Sequence, residues 1–323
     1  MIAPVLCKET SALIEGVTKR RIHAIDMHLL SCVGSSWLDF RQLVIGGNVL
    51  PESRNASWRF HLCCMPLLRA LARGESFDVT QPRLGHPIEI AATVHSGIEL
   101  CLPSSHWSLI DDLTSAWHPE LDGGSLSPSA DSEIIDYAPR FKLAIDLLKL
   151  APCLEDMVRQ ECEAVCVVDS SPPLPPGRCV SLTSRSVPGI VYVSVVPPIL
   201  AAESLVHESA HLRLRGIEVL APLYVSEKAL VQTPLRSDLR PVSGLLHQAY
   251  VLRHLVPLYE CLLESSHPQV LRNLGPTEKR FSQHNKDLGM AIRELETAIP
   301  HLTPEGQRIA NLLALTSNTP IVL

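Results

Sequence analysis

The sequence predicts an α+β fold that is predominantly α-helical, with a small β-sheet or hairpin packed beside a helix bearing the motif His207-Glu208-Ser209-Ala210-His211, and with a helical N-terminal region. Three observations carry that expectation. Residues 199–215 run without Gly or Pro from the Pro197-Pro198 break to Gly216, long enough for one uninterrupted helix. Residues 179–183 and 190–196 are rich in β-branched side chains and are joined through Pro188-Gly189, the chemistry of a hairpin. Elsewhere apolar residues recur mainly at spacings of three and four, the period of amphipathic helices.

In chain order, residues 57–73 have helical spacing, with Trp58, Leu62, Met65, Leu68 and Leu71 as a core stripe and the Arg and His residues as a solvated face. Residues 1–121 therefore read as mainly helical. The stretch 122–132, rich in Gly, Ser and Asp, is a linker by composition and suggests a boundary before residues 133–323. Periodicity gives helices over 136–150 and 154–164, and the Pro-rich run 170–177 reads as a stiff loop ahead of the hairpin. Gly216 is a C-terminal stop for the helix 199–215, and Pro241 opens the next helix as its first residue. Residues 277–298 and 303–315 form closing helices, the second with Thr303 as cap and Pro304 at its first position.

Composition narrows the function. A net charge of −6, a pI near 6.2 and no basic run leave no electrostatic footprint for nucleic acid. The longest uncharged stretch near the motif, 186–202, is shorter than a membrane span and is broken by three prolines, so no membrane is expected. Lys8 and Glu9 leave no room for the apolar region of a signal peptide, which points to the cytoplasm. The ten cysteines include no C-x-x-C; Cys63-Cys64 and the pair Cys162 and Cys166, taken to share a helix face, read as reduced, buried apolar residues.

The motif is H-E-x-x-H. Histidines at i and i+4 of a helix stand one above the other, with Cβ atoms roughly 6 Å apart, so both imidazoles reach one metal ion. Leu205, Ala210, Leu212 and Leu214 give them apolar flanks, unlike histidines scattered over a charged helix surface. Residues 133–323 thus become a metal-binding catalytic region. A third ligand must come from outside the motif. Ile217 follows Gly216 where a metzincin has its run to a third histidine, so that class fails. Glu218, Glu227, Glu260 and Glu264 remain as carboxylate candidates, and His247 as an imidazole one. His247 and Glu260 lie about 220° apart around a shared helix, so only one of them serves the site. Arg236 and Arg240 lie in a loop just ahead of His247, where a planar guanidinium suits a cosubstrate carboxylate; surface pairing with Asp238 is their plainer reading.

The runs Ser181-Leu182-Thr183, Pro188-Gly189-Ile190-Val191-Tyr192-Val193-Ser194, Glu203 to Leu212, Pro234-Leu235-Arg236-Ser237-Asp238-Leu239-Arg240-Pro241 and Gly244-Leu245-Leu246-His247 resemble the HExxH-type 2-oxoglutarate-dependent peptide β-hydroxylases, over roughly residues 135–265. These enzymes modify ribosomally made precursor peptides. The resemblance implies that His207, His211 and His247 hold Fe(II), that Arg240 with Arg236 holds 2-oxoglutarate, that O2 is the oxidant, and that a precursor peptide is hydroxylated at a side-chain Cβ. Three histidines depart from the usual pattern of two histidines and one carboxylate. Glu208 then hydrogen-bonds a ligand or a metal-bound water. Two other readings stay open: a zinc metallopeptidase with Glu208 as general base and a carboxylate such as Glu260 completing the site, and a noncatalytic peptide-binding protein with a structural metal.

Overall fold

The computed structural model describes residues 3–33, 90–94, 98–101, 125–128, 131–171, 179–183, 188–226, 229–233 and 236–314. Residues 57–73, Cys63-Cys64 and most of the Pro-rich run 170–177 lie outside them. The architecture is α+β and mostly helical, with one small mixed sheet and one short antiparallel hairpin. The chain forms two compact units: Met1–Ile14, Ala144–Glu161 and Pro198–Leu323 in the first, Glu15–Leu143 and Cys162–Pro197 in the second.

The second unit is built on the mixed sheet. Its strands are β1 (Ile90–Val94), β2 (Ile98–Cys101), β3 (Ser125–Pro128), β4 (Ala164–Ser171), β5 (Ser181–Thr183) and β6 (Ile190–Ser194), in the order β1-β2-β4-β6-β5 with β3 on β4. Strands β4 and β6 are parallel, with Val165 opposite Val191 and Val167 opposite Val193. Every residue of β6 is buried, which is why its sequence is a continuous apolar run rather than an alternating one. The hairpin of the sequence reading is present as β5 and β6, with Leu182 opposite Tyr192. Its turn needs Gly189, whose φ of 91° is left-handed and whose missing Cβ would stand 3.0 Å from Glu163 Cδ.

Several expectations change here. Ser125–Pro128, within the stretch read as a linker, pairs antiparallel with Val168 to Ser171; Ser and Gly composition does not prevent backbone pairing once a partner strand exists. Residues 1–121 hold the helix α1 (Ala3–Val33) as expected, but also β1 and β2, which helical periodicity did not reveal. Helix α2 (Asp131–Leu148) carries Pro139 inside it, and α3 (Pro152–Glu161) stops short of 164 because the β-branched run from Ala164 pairs into the sheet. Cys162 and Cys166 consequently share no helix face: both are buried, the second on β4.

The first unit is helical. Helix α4 (Pro198–Leu220) holds the H-E-x-x-H motif, followed by β7 (Leu230–Thr233), β8 (Arg236–Pro241), α5 (Val242–Glu264), α6 (Pro268–Arg272), α7 (Leu274–Ala298) and, after a 3-10 turn, α8 (Pro304–Ala314). Helix α5 is apolar almost all round and takes the central place, packing against both α4 and α7. Pro241 is the N-cap of α5, so that helix begins at Val242, one residue later than the sequence put it, while Thr303 and Pro304 open α8 as expected, with Gly306 N donating to Thr303 Oγ1 at 3.2 Å. A buried ion pair, Arg213 Nε to Glu161 Oε1 at 3.0 Å, ties α4 to α3.

Two differences matter for the site. Helix α4 does not stop at Gly216: a helical glycine costs about 1 kcal/mol against alanine, and burial of Ile217 outweighs that. The Arg236 to Arg240 segment, read as a loop, is strand β8, paired antiparallel with β7 so that Val231 faces Arg240 and Thr233 faces Arg236.

Helix α8 fixes the segment that follows α4. Leu223 O accepts from Thr303 N at 3.1 Å, and Val225 N donates to His301 O at 2.9 Å. Gly306 lies against the same carbonyl: a Cβ there would stand 2.1 Å from Leu223 O. Gly306→Ala is therefore expected to destabilise the fold by about 3 kcal/mol, at the upper end for overpacking, because the obstacle is backbone rather than a movable side chain. Urea denaturation checks it, and an unchanged midpoint would refute the close approach.

Candidate metal centre

Glu203, His207, His211 and Glu218 follow one another along α4 at steps of four, four and seven residues, and so share one face of the helix. That face meets α5 at His247. His207 Nε2 and His211 Nε2 are 3.2 Å apart. Two nitrogens each about 2.1 Å from one ion, at an angle between the octahedral and tetrahedral values, are about 3.0 to 3.4 Å apart, so this pair fits the separation of two cis ligands. Burial, followed by the nearby His207, His247 and Arg215, holds the His211 imidazole well below its usual pKa. A neutral imidazole is the form that ligates.

His247, 8% exposed, joins the cluster through its other neighbour atoms. Its Nδ1 lies 2.9 Å from His211 Nδ1, and its Nε2 lies 2.9 Å from Glu218 Oε1. Tyr224 donates its hydroxyl to the same Glu218 oxygen at 2.6 Å. The three histidines of the sequence reading are thus brought together, with His247 against the ring nitrogen of His211 that does not face His207. As the rings stand, no three His, Cys, Asp or Glu side chains among the described residues are arranged around one ion.

The three imidazoles open on a cavity of about 430 Å³. Its floor is a stripe of α5 comprising Gly244, His247, Gln248, Val251, Leu252 and Leu255; the β7–β8 hairpin adds Thr233 and Arg240, and α7 adds Gln283, His284 and Asp287. Arg240 therefore stands on the wall shared with the histidines. Arg236 sits on β8 opposite Thr233, and its side chain lies outside the described residues. Thr233 is 3% exposed, and neither its Oγ1 nor Gln248 Nε2 has a hydrogen-bond partner among the described residues. Both residues line the cavity, where water or a ligand can satisfy their polar atoms.

Glu208 is 2% exposed and does not line the cavity, and its Oε1 lies 3.8 Å from His207 Nε2. Of the other carboxylates considered, Glu227 lies outside the described residues, and Glu260 and Glu264 are not in the cavity wall. Burial, then the charge of Glu264, raises the Glu260 pKa against the pull of Arg253. Glu218 is the carboxylate that reaches the cluster. The sequence reading names Glu218 only as one of four carboxylate candidates for a metal ligand and misses its place behind His247.

Glu203 was also missed, although its place four residues before His207 was the available signal. Arg280 Nη1 contacts both its oxygens at 2.8 Å, Tyr259 donates to it, and His284 Nε2 lies 3.4 Å away. Burial pushes Glu203 up, but the His284 hydrogen bond, the Arg280 charge and Tyr259 together leave it below the usual carboxylate range. This network clamps α4, α5 and α7 one turn before the motif and so rigidifies the helix face that carries the histidines.

No protein-family model matches the chain, and no curated protein matches it in sequence. Among the described residues, no helix is long and apolar enough to cross a membrane.

Proposed function

We propose that the protein is an Fe(II)- and 2-oxoglutarate-dependent oxygenase that hydroxylates a side-chain Cβ of a ribosomally made precursor peptide in the cytoplasm. The observation that supports it most is the presence of the His207–His211 pair and Arg240 on the walls of one cavity. Imidazole suits iron, and two of them leave coordination positions for a cosubstrate and O2. When bound, the iron supplies the oxidative chemistry: 2-oxoglutarate loses CO2 and becomes succinate with one oxygen atom of O2, and the other atom enters the Cβ–H bond as a hydroxyl.

The chain's own residues bind, orient and exclude water. His207 and His211, four apart on a helix clamped by Glu203, would hold the ion at fixed geometry. Arg240 would take the far carboxylate of 2-oxoglutarate as a planar fork, with Thr233 and Gln248 as neighbouring polar groups on the same wall. Val251, Leu252 and Leu255 keep the remaining volume apolar, which shields the reacting carbon from solvent. The test is anaerobic reconstitution with Fe(II), then succinate formation measured together with the mass of candidate precursor peptides. Iron uptake without succinate would overturn the oxygenase reading.

One observation favours a second reading. Glu208 Oε1 comes within 3.8 Å of His207 Nε2, near enough to the ligand pair to serve a zinc peptidase as general base. Glu208→Gln separates the two. An oxygenase deprotonates no attacking water, so turnover is expected to stay within about tenfold of wild type, whereas a peptidase loses its general base and at least the 10²- to 10⁴-fold such a base supplies. Hydrolysis of peptides by the zinc-loaded protein, lost in this variant and indifferent to 2-oxoglutarate, would decide for the peptidase.

A further inference from the structure

We infer that His247 is not a third ligand but a positioning residue, the middle member of a hydrogen-bonded relay Tyr224–Glu218–His247–His211 that sets the tautomer and ring orientation of the ligand His211. This rests on the metal reading of the His207–His211 pair and departs from the ligand set that the resemblance implies.

Proton placement follows from the distances. His211 Nε2 faces His207 Nε2 at 3.2 Å, so in the metal-bound form both carry lone pairs there. Neutral His211 then keeps its proton on Nδ1, which donates to His247 Nδ1 at 2.9 Å. His247 Nδ1 must accept, so the neutral His247 ring carries its own proton on Nε2. That proton is donated to Glu218 Oε1, also at 2.9 Å. Glu218 accepts a second hydrogen bond from the Tyr224 hydroxyl at 2.6 Å. Every donor in the chain meets an acceptor, and a single tautomer assignment satisfies all the contacts. As a ligand, His247 would have to give up either His211 or Glu218.

A carboxylate acting through an imidazole on a ligating histidine raises its basicity and fixes its ring, and loss of such an outer partner lowers metal affinity about 10- to 100-fold. The relay also has a structural anchor. Tyr224 lies in the segment held by α8, where it forms a bridge with Leu302, and Glu218 is available only because α4 continues past Gly216.

The test loads the full-length protein with Cu(II) and counts coordinated imidazoles by pulsed EPR, in wild type, His247→Gln, Glu218→Gln and Tyr224→Phe. Copper affinities are measured by competition with a chelator. The expected result is two imidazoles in the wild type and in all three variants, with affinity lower by about 10- to 100-fold in His247→Gln and Glu218→Gln. Three imidazoles in wild type would overturn the relay and make His247 a ligand, while leaving the metal reading intact. Unchanged affinity in both His247→Gln and Glu218→Gln would overturn it as well. Absence of a specific copper site in wild type would overturn the metal reading itself. Should His247→Gln fail to fold, the wild-type count and the Glu218→Gln affinity still decide the matter.

Discussion

Replacing His207 or His211 by Ala is expected to abolish specific metal uptake, with a loss well beyond the roughly 10- to 100-fold that removal of an outer hydrogen-bond partner produces. Each imidazole is one of only two nitrogens that face each other at 3.2 Å, and the remaining one cannot hold an ion in a defined geometry alone. The fold should survive His207→Ala, because that side chain is 38% exposed and lies on the rim rather than in the core. Equilibrium dialysis against Fe(II) under anaerobic conditions and against Zn(II), paired with a thermal melt, checks both parts. A His211→Ala protein that takes up iron as wild type does would remove the centre from this helix face.

The second large effect concerns Arg240. On the proposed oxygenase reading, removal of its guanidinium would leave the far carboxylate of 2-oxoglutarate desolvated and unpaired, at a cost of roughly 2 to 5 kcal/mol. At about 1.4 kcal/mol per tenfold, that corresponds to cosubstrate affinity weaker by roughly 30-fold to several thousand-fold. If Arg240 served only a surface ion pair, the effect would be under about 1 kcal/mol, which is less than tenfold. Titration of 2-oxoglutarate into iron-loaded wild type, Arg240→Ala and Arg236→Ala reads the difference. Arg236→Ala is the informative companion: equal losses in both variants would make the clamp a shared one. Loss in Arg236→Ala alone would move the role to that residue. Wild-type affinity in both would remove the arginine clamp from β8.

The part of the site that the sequence made legible is the part that local geometry dictates. Four residues on a helix bring two side chains to one face wherever that helix is placed, so His207 and His211 could be paired from spacing alone. The hairpin of β5 and β6 was equally local, since β-branched runs around a glycine turn pair with each other. Strands β2 and β3 escaped notice because their partner β4 lies far along the chain, and β1, although it pairs with the adjacent β2, is a short strand with no signature stronger than the sheet that accepts it. Cys162 and Cys166 illustrate the same limit in reverse. Their i+4 spacing suggested a helix face, but pairing of β4 with β6 overrode helical periodicity.

By itself, the sequence determined the α+β class, the helix that bears H-E-x-x-H, the presence of His247 and Arg240 as candidates, and the N-terminal cap of α8. Only the tertiary structure decided which nitrogen of His211 faces which neighbour, that Glu218 and Tyr224 stand behind His247, and that Glu203 is locked by Arg280 from a helix far along the chain. The physical reason is that helix periodicity is set within a few residues by backbone hydrogen bonds, whereas ring orientation and carboxylate pairing depend on how α4, α5 and α7 pack. A single glycine shows the boundary between the two: at Gly216 local propensity said stop, and burial of Ile217 carried the helix on to Glu218.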